Sequence, residues 1–233
     1  TLTDEQWQLA YRSALKNASM SDFKGASGGR DGIDKGLFLG YTPGGSQKFS
    51  WSIEGYINDA GIANMAKELS DMDAYTYYKS RATNYVNLFR DGDGVENKWL
   101  AAKNADGSWT RSKVDPFAFH DDYTETTALN MACSVPQDGQ GLANLYGGRD
   151  ALAEKLDQLF ETRWANMATA TSLPIIFHIC ISMPVGLTVR RRKFGRYCGS
   201  AMLAAASARD TSVMRITVKC LHGLSSVPWA SIR

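Results

Sequence analysis

The sequence predicts an all-α protein built from helical hairpins, and three observations support that prediction. Apolar residues recur every three or four positions through most of the first 163 residues. Capping residues precede these runs, and glycine or proline follows several of them. Short links join successive helices, so that neighbouring helices are expected to run antiparallel. This pattern is typical of a helical array or toroid with long loops on one side.

The charge distribution divides the 233-residue chain near Trp164. Residues 1–163 carry 17 Lys and Arg against 23 Asp and Glu, a net charge of −6, whereas residues 164–233 carry 9 basic residues and one acid, Asp210, a net charge of +8. Soluble domains usually mix both signs on their surface. We therefore predict that residues 1–163 form the folded part and that residues 164–233 are a poorly structured, non-native tail.

The first predicted helix begins at a capping box, Thr3-Asp-Glu-Gln6, in which each side chain can satisfy the other's backbone N–H group. The segment Asn17–Ser50 follows and is rich in glycine, which predicts a long loop with little regular structure. A loop of this length in a compact domain is usually functional or a lid. Its glycines do not have the spacing of a phosphate-binding loop, so nucleotide binding is not predicted.

Two further helices are predicted next, and the short link between them predicts a hairpin. Trp51–Leu69 carries one apolar stripe with small residues, and Asp71–Phe89 carries apolar and aromatic residues spaced three or four apart, with Ser70 as its N-cap. The aromatic stripe indicates core packing rather than a sugar platform. Asp91–Gly94 is read as a turn because the ligand spacing of a calcium loop is absent. Trp99–Trp109 predicts a short β-hairpin.

The stretch Tyr123–Gly148 contains the residue that we expect to carry the chemistry, Glu125. Glu125 stands at the start of a predicted helix that must end before Pro136. The alternative is an exposed glutamate in the first turn, favoured there only by the helix dipole. Asp138 is predicted to cap a short helix to Tyr146 that Gly147 and Gly148 end, and Asp150 is predicted to cap the helix after it.

Several motifs in this order resemble glycoside hydrolase family 92, the calcium-dependent exo-acting α-mannosidases. They cover essentially all of residues 1–163 and are ALKNAS at 14–19, GYTP at 40–43, SIEGYINDAGIANMAKEL at 52–69, DGSW at 106–109, DPF at 115–117, DYTET at 122–126, VPQDGQGL at 135–142 and YGG at 146–148. The resemblance implies part of an (α/α)6 catalytic barrel. It also implies an N-terminal β-sandwich elsewhere in the same protein.

The resemblance implies an inverting hydrolysis of terminal α-mannosides in mannose-containing glycans, with Glu125 as the general acid. Tyr123, Gln137 and Asp138 lie on family motifs and are expected to border the substrate. Thr126, Thr127 and Leu129 depart from the residues common in the family, which puts substrate packing in doubt. Calcium is the expected cofactor, but its motifs are absent from this chain. A secreted, periplasmic or cell-surface parent protein is expected.

The later family motifs are missing from the sequence as written, and a second reading frame can account for them. Val218–Ile232 can be back-translated so that a frame starting one base earlier encodes GKMSAWFVLSSLGFY, which resembles a family motif. The same shift allows the two preceding family motifs at Thr171–Gly186 and Val213–Thr217. The second of these would carry the catalytic base. We hypothesise that the tail is a frameshifted translation, and that the chain is therefore inactive.

The frameshift hypothesis also accounts for three other signals in the tail. Ser172–Val189 is free of charged side chains but contains prolines, so a membrane helix is not predicted. The basic run at 190–193 does not predict nucleic-acid binding in this context. The cysteines and histidines of the tail lack the paired spacing of a zinc site, and no metal-ligand set is predicted. The alternative function is a non-catalytic helical fragment that binds carbohydrate or a partner through the glycine-rich loop.

Overall fold

The computed structural model describes residues 3–21, 28–119 and 122–165, with side chains to residue 159. All of them belong to one compact unit, Thr1–Met183. The α-helices are α1 Asp4–Ser19, α2 Ile33–Leu39, α3 Lys48–Glu68, α4 Met72–Ala82, α5 Ala128–Met131, α6 Gly139–Tyr146 and α7 Arg149–Ala165, the 3-10 helices are Asn84–Leu88 and Val95–Asn97, and the strands are β1 Phe89–Arg90 and β2 Trp99–Leu100. The all-α prediction is confirmed. The predicted division at residue 163 stays a prediction, and the tail beyond residue 165 lies outside the described residues.

The predicted capping box begins α1. The Thr3 N–H donates to Gln6 Oε1 at 2.9 Å, and the Gln6 N–H donates to Thr3 Oγ1 at 3.3 Å. One face of α1 packs against α3 and α4 in a small apolar cluster, whose buried members are Tyr11, Ala18, Ile62, Ala63, Ala66 and Tyr78. The Tyr11 hydroxyl also donates to Asp71 Oδ2 at 2.8 Å, which ties α1 to the start of α4.

The predicted hairpin of α3 and α4 is confirmed, and a buried carboxylate joins its two arms. Asp59 of α3 is 1% exposed and lies 2.7 Å from Arg30 Nη2 and 3.0 Å from Arg81 Nε of α4. Such a carboxylate is stable in the core only because two guanidinium groups compensate its charge. The ion pair therefore holds α4 against α3.

The predicted third helix was wrong at both ends. The N-cap is Asp71, whose Oδ1 accepts from the Ala74 N–H at 3.1 Å, because Ser70 has a left-handed backbone with φ 60°. The helix ends at Ala82, where the Thr83 hydroxyl donates to the Ser80 carbonyl at 2.7 Å. The chain then tightens into a 3-10 helix that buries Tyr85 and Leu88.

The glycine-rich segment contains more regular structure than the sequence predicted. It includes α2, which lies between left-handed glycines at positions 32 and 40, with φ values of 71° and 77°. A Cβ atom at Gly32 would meet Thr42 Cγ2 at 2.4 Å, so the close approach requires glycine. The next helix, α3, begins at Lys48, inside the predicted loop.

The predicted hairpin at 99–109 is present only at its tip. The Gly107 N–H donates to the Asn104 carbonyl at 3.0 Å, and a single antiparallel bridge joins Lys103 to Trp109. The strand β2 pairs instead with β1, antiparallel. β2 therefore pairs with the segment that directly follows the 3-10 helix Asn84–Leu88, and not with the residues near Trp109 as predicted.

The helix predicted after Tyr123 was also too long, because α5 spans only Ala128–Met131 and has Thr127 as its N-cap. The predictions for α6 were confirmed: Asp138 caps it and Gly147 ends it in a left-handed conformation. The last helix, α7, begins at Arg149, so Asp150 lies in its first turn rather than at its cap. The α5–α7 region packs against α3 and β2 in the main core, which includes Phe49, Tyr85, Leu100, Leu142 and Leu152.

None of the helices within the described ranges is long and apolar enough to cross a membrane.

Candidate active site

Glu125 lies in a turn before α5 and not in a helix. Its side chain is exposed, and its backbone is left-handed with φ 49°. Only a few per cent of non-glycine residues adopt this conformation, which costs about 1–3 kcal/mol and clusters at functional sites. Among the described residues, Glu125 has no hydrogen-bond or ion-pair partner. The carboxylate is therefore presented to solvent from a strained turn, and the first-turn alternative does not apply.

The start of α3 holds the residue before Glu125. The Thr124 N–H donates to Ser50 Oγ at 2.9 Å, and the Thr124 hydroxyl donates to Gln47 Oε1 at 3.3 Å. Gln47 is itself left-handed, with φ 61°. Thr124 therefore links two residues with left-handed backbones: it precedes Glu125 and binds Gln47. The surrounding contacts must maintain both conformations.

Asp122 and Tyr123 anchor the other side of the turn in the core. The Tyr123 hydroxyl donates to the Leu100 carbonyl at 2.8 Å, and its ring packs edge-on against Phe49 with centroids 4.8 Å apart. Burial raises the pKa of Tyr123 well above its usual value. Asp122 Oδ2 accepts from Thr110 Oγ1 at 3.1 Å and from Arg111 Nε at 3.0 Å. Tyr123 therefore positions the turn, and its predicted contact with substrate stays a prediction.

Thr126 and Thr127 complete the turn on the side of α5. Thr126 is 7% exposed, and its buried Oγ1 has no hydrogen-bond partner within the described residues. Thr127 Oγ1 accepts from the Asn130 N–H at 3.4 Å and so begins α5. The departure from the family pattern at Thr127 therefore supplies a helix cap, whereas at Thr126 it buries a hydroxyl without a partner among the described residues, which is destabilising.

Gln137 and Asp138, the other two predicted substrate contacts, are engaged at the start of α6. Asp138 Oδ1 accepts from the Gly141 N–H and Oδ2 accepts from the Tyr85 hydroxyl, both at 2.8 Å. Gln137 Nε2 donates to the Ala82 carbonyl at 3.2 Å. No hydrogen bond joins either residue to Glu125 in the part of the chain that the structure describes. Their predicted role in substrate binding stays untested, while their structural role is evident.

Sequence reasoning missed Gln47 and Ser50 as parts of this site. Each is more than 70 positions from Thr124, at separations of 77 and 74. The local sequence carries no signal for such a contact. The only available indication was that Ser50 directly precedes the SIEGYINDAG helix motif.

The described residues do not provide a metal site. No group of three or more His, Cys, Asp or Glu side chains within the described ranges could hold a metal ion. The calcium that the family resemblance implies stays a prediction.

Comparison with known proteins identifies the domain to which this fold belongs. The sequence profile of the glycosyl hydrolase family 92 catalytic domain matches residues 2–179. The comparison with curated proteins gives no match.

Solved structures give the same result, and three of them are mannosidases of this family from Bacteroides thetaiotaomicron. An inverting mannosidase is 28% identical, with a TM-score of 0.59, and the match covers 65% of this chain and 20% of that chain. An α-mannosidase is 29% identical, with a TM-score of 0.57 and coverages of 66% and 19%. Its mannoimidazole complex gives 27%, a TM-score of 0.58 and coverages of 66% and 20%. The chain thus spans about a fifth of the length of these proteins. Because the family profile covers more than half of the sequence, this chain belongs to glycosyl hydrolase family 92.

Proposed function

We propose that the chain is part of an α-mannosidase that releases terminal mannose from glycans with inversion, and that Glu125 is its general acid. The observation that carries this proposal is the setting of Glu125: an exposed carboxyl group, on a left-handed backbone, in a turn that is anchored on both sides. Similarity to solved α-mannosidases supports the substrate class.

In the proposed reaction, Glu125 transfers its carboxyl proton to the glycosidic oxygen as the bond between that oxygen and the anomeric carbon breaks. Water attacks the anomeric carbon from the opposite face and gives up a proton to a carboxylate base. In inverting enzymes the two carboxyl groups stand roughly 6.5–9.5 Å apart, which leaves room for the water. Anchoring Thr124 through α3 would fix the backbone from which the Glu125 carboxyl group extends.

We propose that this chain is inactive by itself, because the family motif that carries the base is not present in its sequence as written. Calcium is proposed as the cofactor of the parent protein on the family basis. A secreted, periplasmic or cell-surface location is proposed for the parent protein on the same family basis. The remaining family motifs are proposed to lie in the second reading frame of the tail.

Turnover of an aryl α-mannoside in the presence of calcium tests the proposed inactivity, and any turnover that is found tests the role of Glu125. No turnover is expected from the full chain. Activity that Glu125→Gln abolishes would contradict the proposed inactivity and support the role of Glu125. Activity that survives Glu125→Gln would contradict the acid role, unless the leaving group needs no proton. A dinitrophenyl leaving group, compared with an unsubstituted phenyl group, resolves that point, because only the poorer leaving group requires an acid.

The nucleotide sequence around codons 160–172 and beyond tests the reading-frame proposal. We expect it to encode the missing motifs when read one base earlier. A well-supported nucleotide sequence that cannot encode them in the other frame would contradict the proposal.

A further inference from the structure

A second polar cleft, separate from the Glu125 turn, lies between the glycine-rich segment, α3 and α4. It has a volume of about 120 Å³, and we call it the loop cleft. The side chains that give it its chemical character are Arg30, Asp31, Trp51, Asp59, Tyr77 and Asn84. Backbone of the glycine-rich segment, including Gly36 and Gly40, forms much of its edge.

The charges that line the loop cleft balance one another. Arg30 and Arg81 contribute two positive charges, and Asp31 and Asp59 contribute two negative charges. Asp31 also pairs with Lys48, which does not line the cleft. A cleft without excess charge favours an uncharged polar ligand, because an ion would lose its hydration without a compensating partner.

The floor of the cleft carries polar groups that are held in place. Asp59 Oδ1 is buried and ion-paired with Arg30 Nη2 at 2.7 Å, so this carboxylate orients the guanidinium. Arg30, whose side chain is 18% exposed, and Asn84 line the cleft and can each present N–H donors to neighbouring hydroxyls. A ligand rich in vicinal hydroxyls is the chemical match for this floor.

The walls carry two half-exposed aromatic side chains, Trp51 and Tyr77, each 51% exposed. Arg81 lies over the Tyr77 ring at 5.5 Å from its centroid. No aromatic or cationic group stacks on Trp51 in the part of the chain that the structure describes. An exposed indole face is suited to the C–H face of a sugar ring, whose hydroxyls then point to the polar floor.

Hydrogen bonds between segments hold the cleft edges in place. The Tyr56 hydroxyl donates to the Gly40 carbonyl at 2.6 Å, and the Thr42 N–H donates to Ser52 Oγ at 3.0 Å. A Cβ atom at Gly40, where φ is 77°, would meet Asn87 Nδ2 at 2.7 Å. The edge is therefore fixed before a ligand arrives, which lowers the entropic cost of binding.

We propose that the loop cleft binds an uncharged sugar unit of the glycan whose terminal linkage is cleaved at Glu125. The two sites share α3: Ser50 accepts from the Thr124 N–H, and the next residue, Trp51, lines the cleft. This inference rests on the proposed function for the identity of the glycan. It does not require Glu125 for binding.

Saturation-transfer NMR on the full chain tests the inference, with methyl α-mannoside and an α-linked mannobiose as probes. Saturable binding is expected, with affinity reduced about tenfold in Trp51→Ala and in Tyr77→Ala, since each removes one stacking face. Both side chains are half-exposed, so both variants are expected to fold, and circular dichroism checks this. Trp7→Ala is the matched control, because Trp7 is 43% exposed on α1 and lies outside the cleft.

Glu125→Gln separates this inference from the proposed function. Sugar binding that Glu125→Gln leaves unchanged and Trp51→Ala weakens supports the loop cleft, whatever the outcome of the turnover assay. Binding that depends on Glu125 and not on Trp51 would overturn the inference and leave the proposed function standing. Absence of saturable sugar binding, or saturable binding of inorganic phosphate in its place, would also overturn it.

Discussion

At the scale of single residues, the left-handed backbone of Glu125 lowers the stability of the folded chain by a measurable amount. A left-handed conformation disfavours any residue with a Cβ atom, and Glu125 holds φ 49°. We expect Glu125→Gly to raise the free energy of unfolding by about 0.5–1 kcal/mol, since the strain relieved exceeds the extra entropy of an unfolded glycine. Urea denaturation measures this change.

Ser70→Gly is the matched control, because Ser70 is exposed with φ 60° and has no role in the proposed site. A similar gain in both variants would show that the stability cost arises from the backbone alone. A gain in Ser70→Gly with none in Glu125→Gly would contradict the claim that the Glu125 turn is strained.

Lys155 of α7 is a buried charge with a testable pH signature. It is 0% exposed, its Nζ lies 3.2 Å from the centroid of the Trp99 ring, and it donates to the Val95 carbonyl at 3.0 Å. Burial lowers the pKa of Lys155 from 10.5 to about 8, although Cys133, Glu96 and Glu154 act in the opposite direction.

The sign of the effect follows from proton uptake. Between pH 8 and 10.5 the unfolded chain keeps the Lys155 proton and the folded chain loses it, so stability should rise with pH across this window. The full contribution is about 3 kcal/mol. We expect Lys155→Met to remove this rise, as measured by urea denaturation at several pH values. Lys16→Met, an exposed lysine on α1, is the control, and an unchanged slope in Lys155→Met would contradict the prediction.

At the scale of elements, Asp138 determines where α6 begins. It accepts hydrogen bonds from the Gly141 N–H and the Tyr85 hydroxyl. We expect Asp138→Ala to lower the free energy of unfolding by about 2 kcal/mol, since a cap and a partly buried hydrogen bond are both lost. Asp138→Asn keeps a side-chain oxygen and should cost less. Thermal unfolding that is unchanged in Asp138→Ala would show that Asp138 is not structural and would favour its predicted contact with substrate.

The local sequence predicted helix ends well where a capping residue and an apolar stripe occur together. It predicted them poorly where contacts between distant residues determine the structure. The capping box at Thr3 and the Asp138–Gly147 pair each specify a helix end within a few residues. Tyr85 has helical spacing but lies in a 3-10 helix, where its hydroxyl donates to the distant Asp138. Likewise, the helix predicted at Glu125 does not form, since Thr124 is held by Ser50 of α3. The motif alone names Glu125 as the candidate acid, which stays a prediction, and the local sequence does not predict the contacts that support its turn.

At the scale of the whole molecule, the described surface carries large apolar side chains without covering neighbours. Phe38 of α2 is 91% exposed, and Phe117 and Phe119, in the loop before the Glu125 turn, are 55% and 58% exposed. Monomeric proteins rarely leave large apolar patches uncovered. The chain spans about a fifth of the length of its solved relatives. Part of a helical toroid lacks some of the neighbouring repeats that its helices and loops contact in the whole domain, so exposed apolar residues are the expected consequence.

We therefore predict that the full chain self-associates in a concentration-dependent way and binds a hydrophobic dye, as measured by sedimentation and dye fluorescence. Phe38→Ser should reduce both, because it removes the most exposed of the large apolar side chains described. Lys35→Ser is the matched control, since Lys35 is exposed on the same helix but charged. Because Phe38 does not line the loop cleft, Phe38→Ser should leave sugar binding there unchanged. A chain that stays monomeric without dye binding would contradict the view that this surface is normally covered by the rest of the domain.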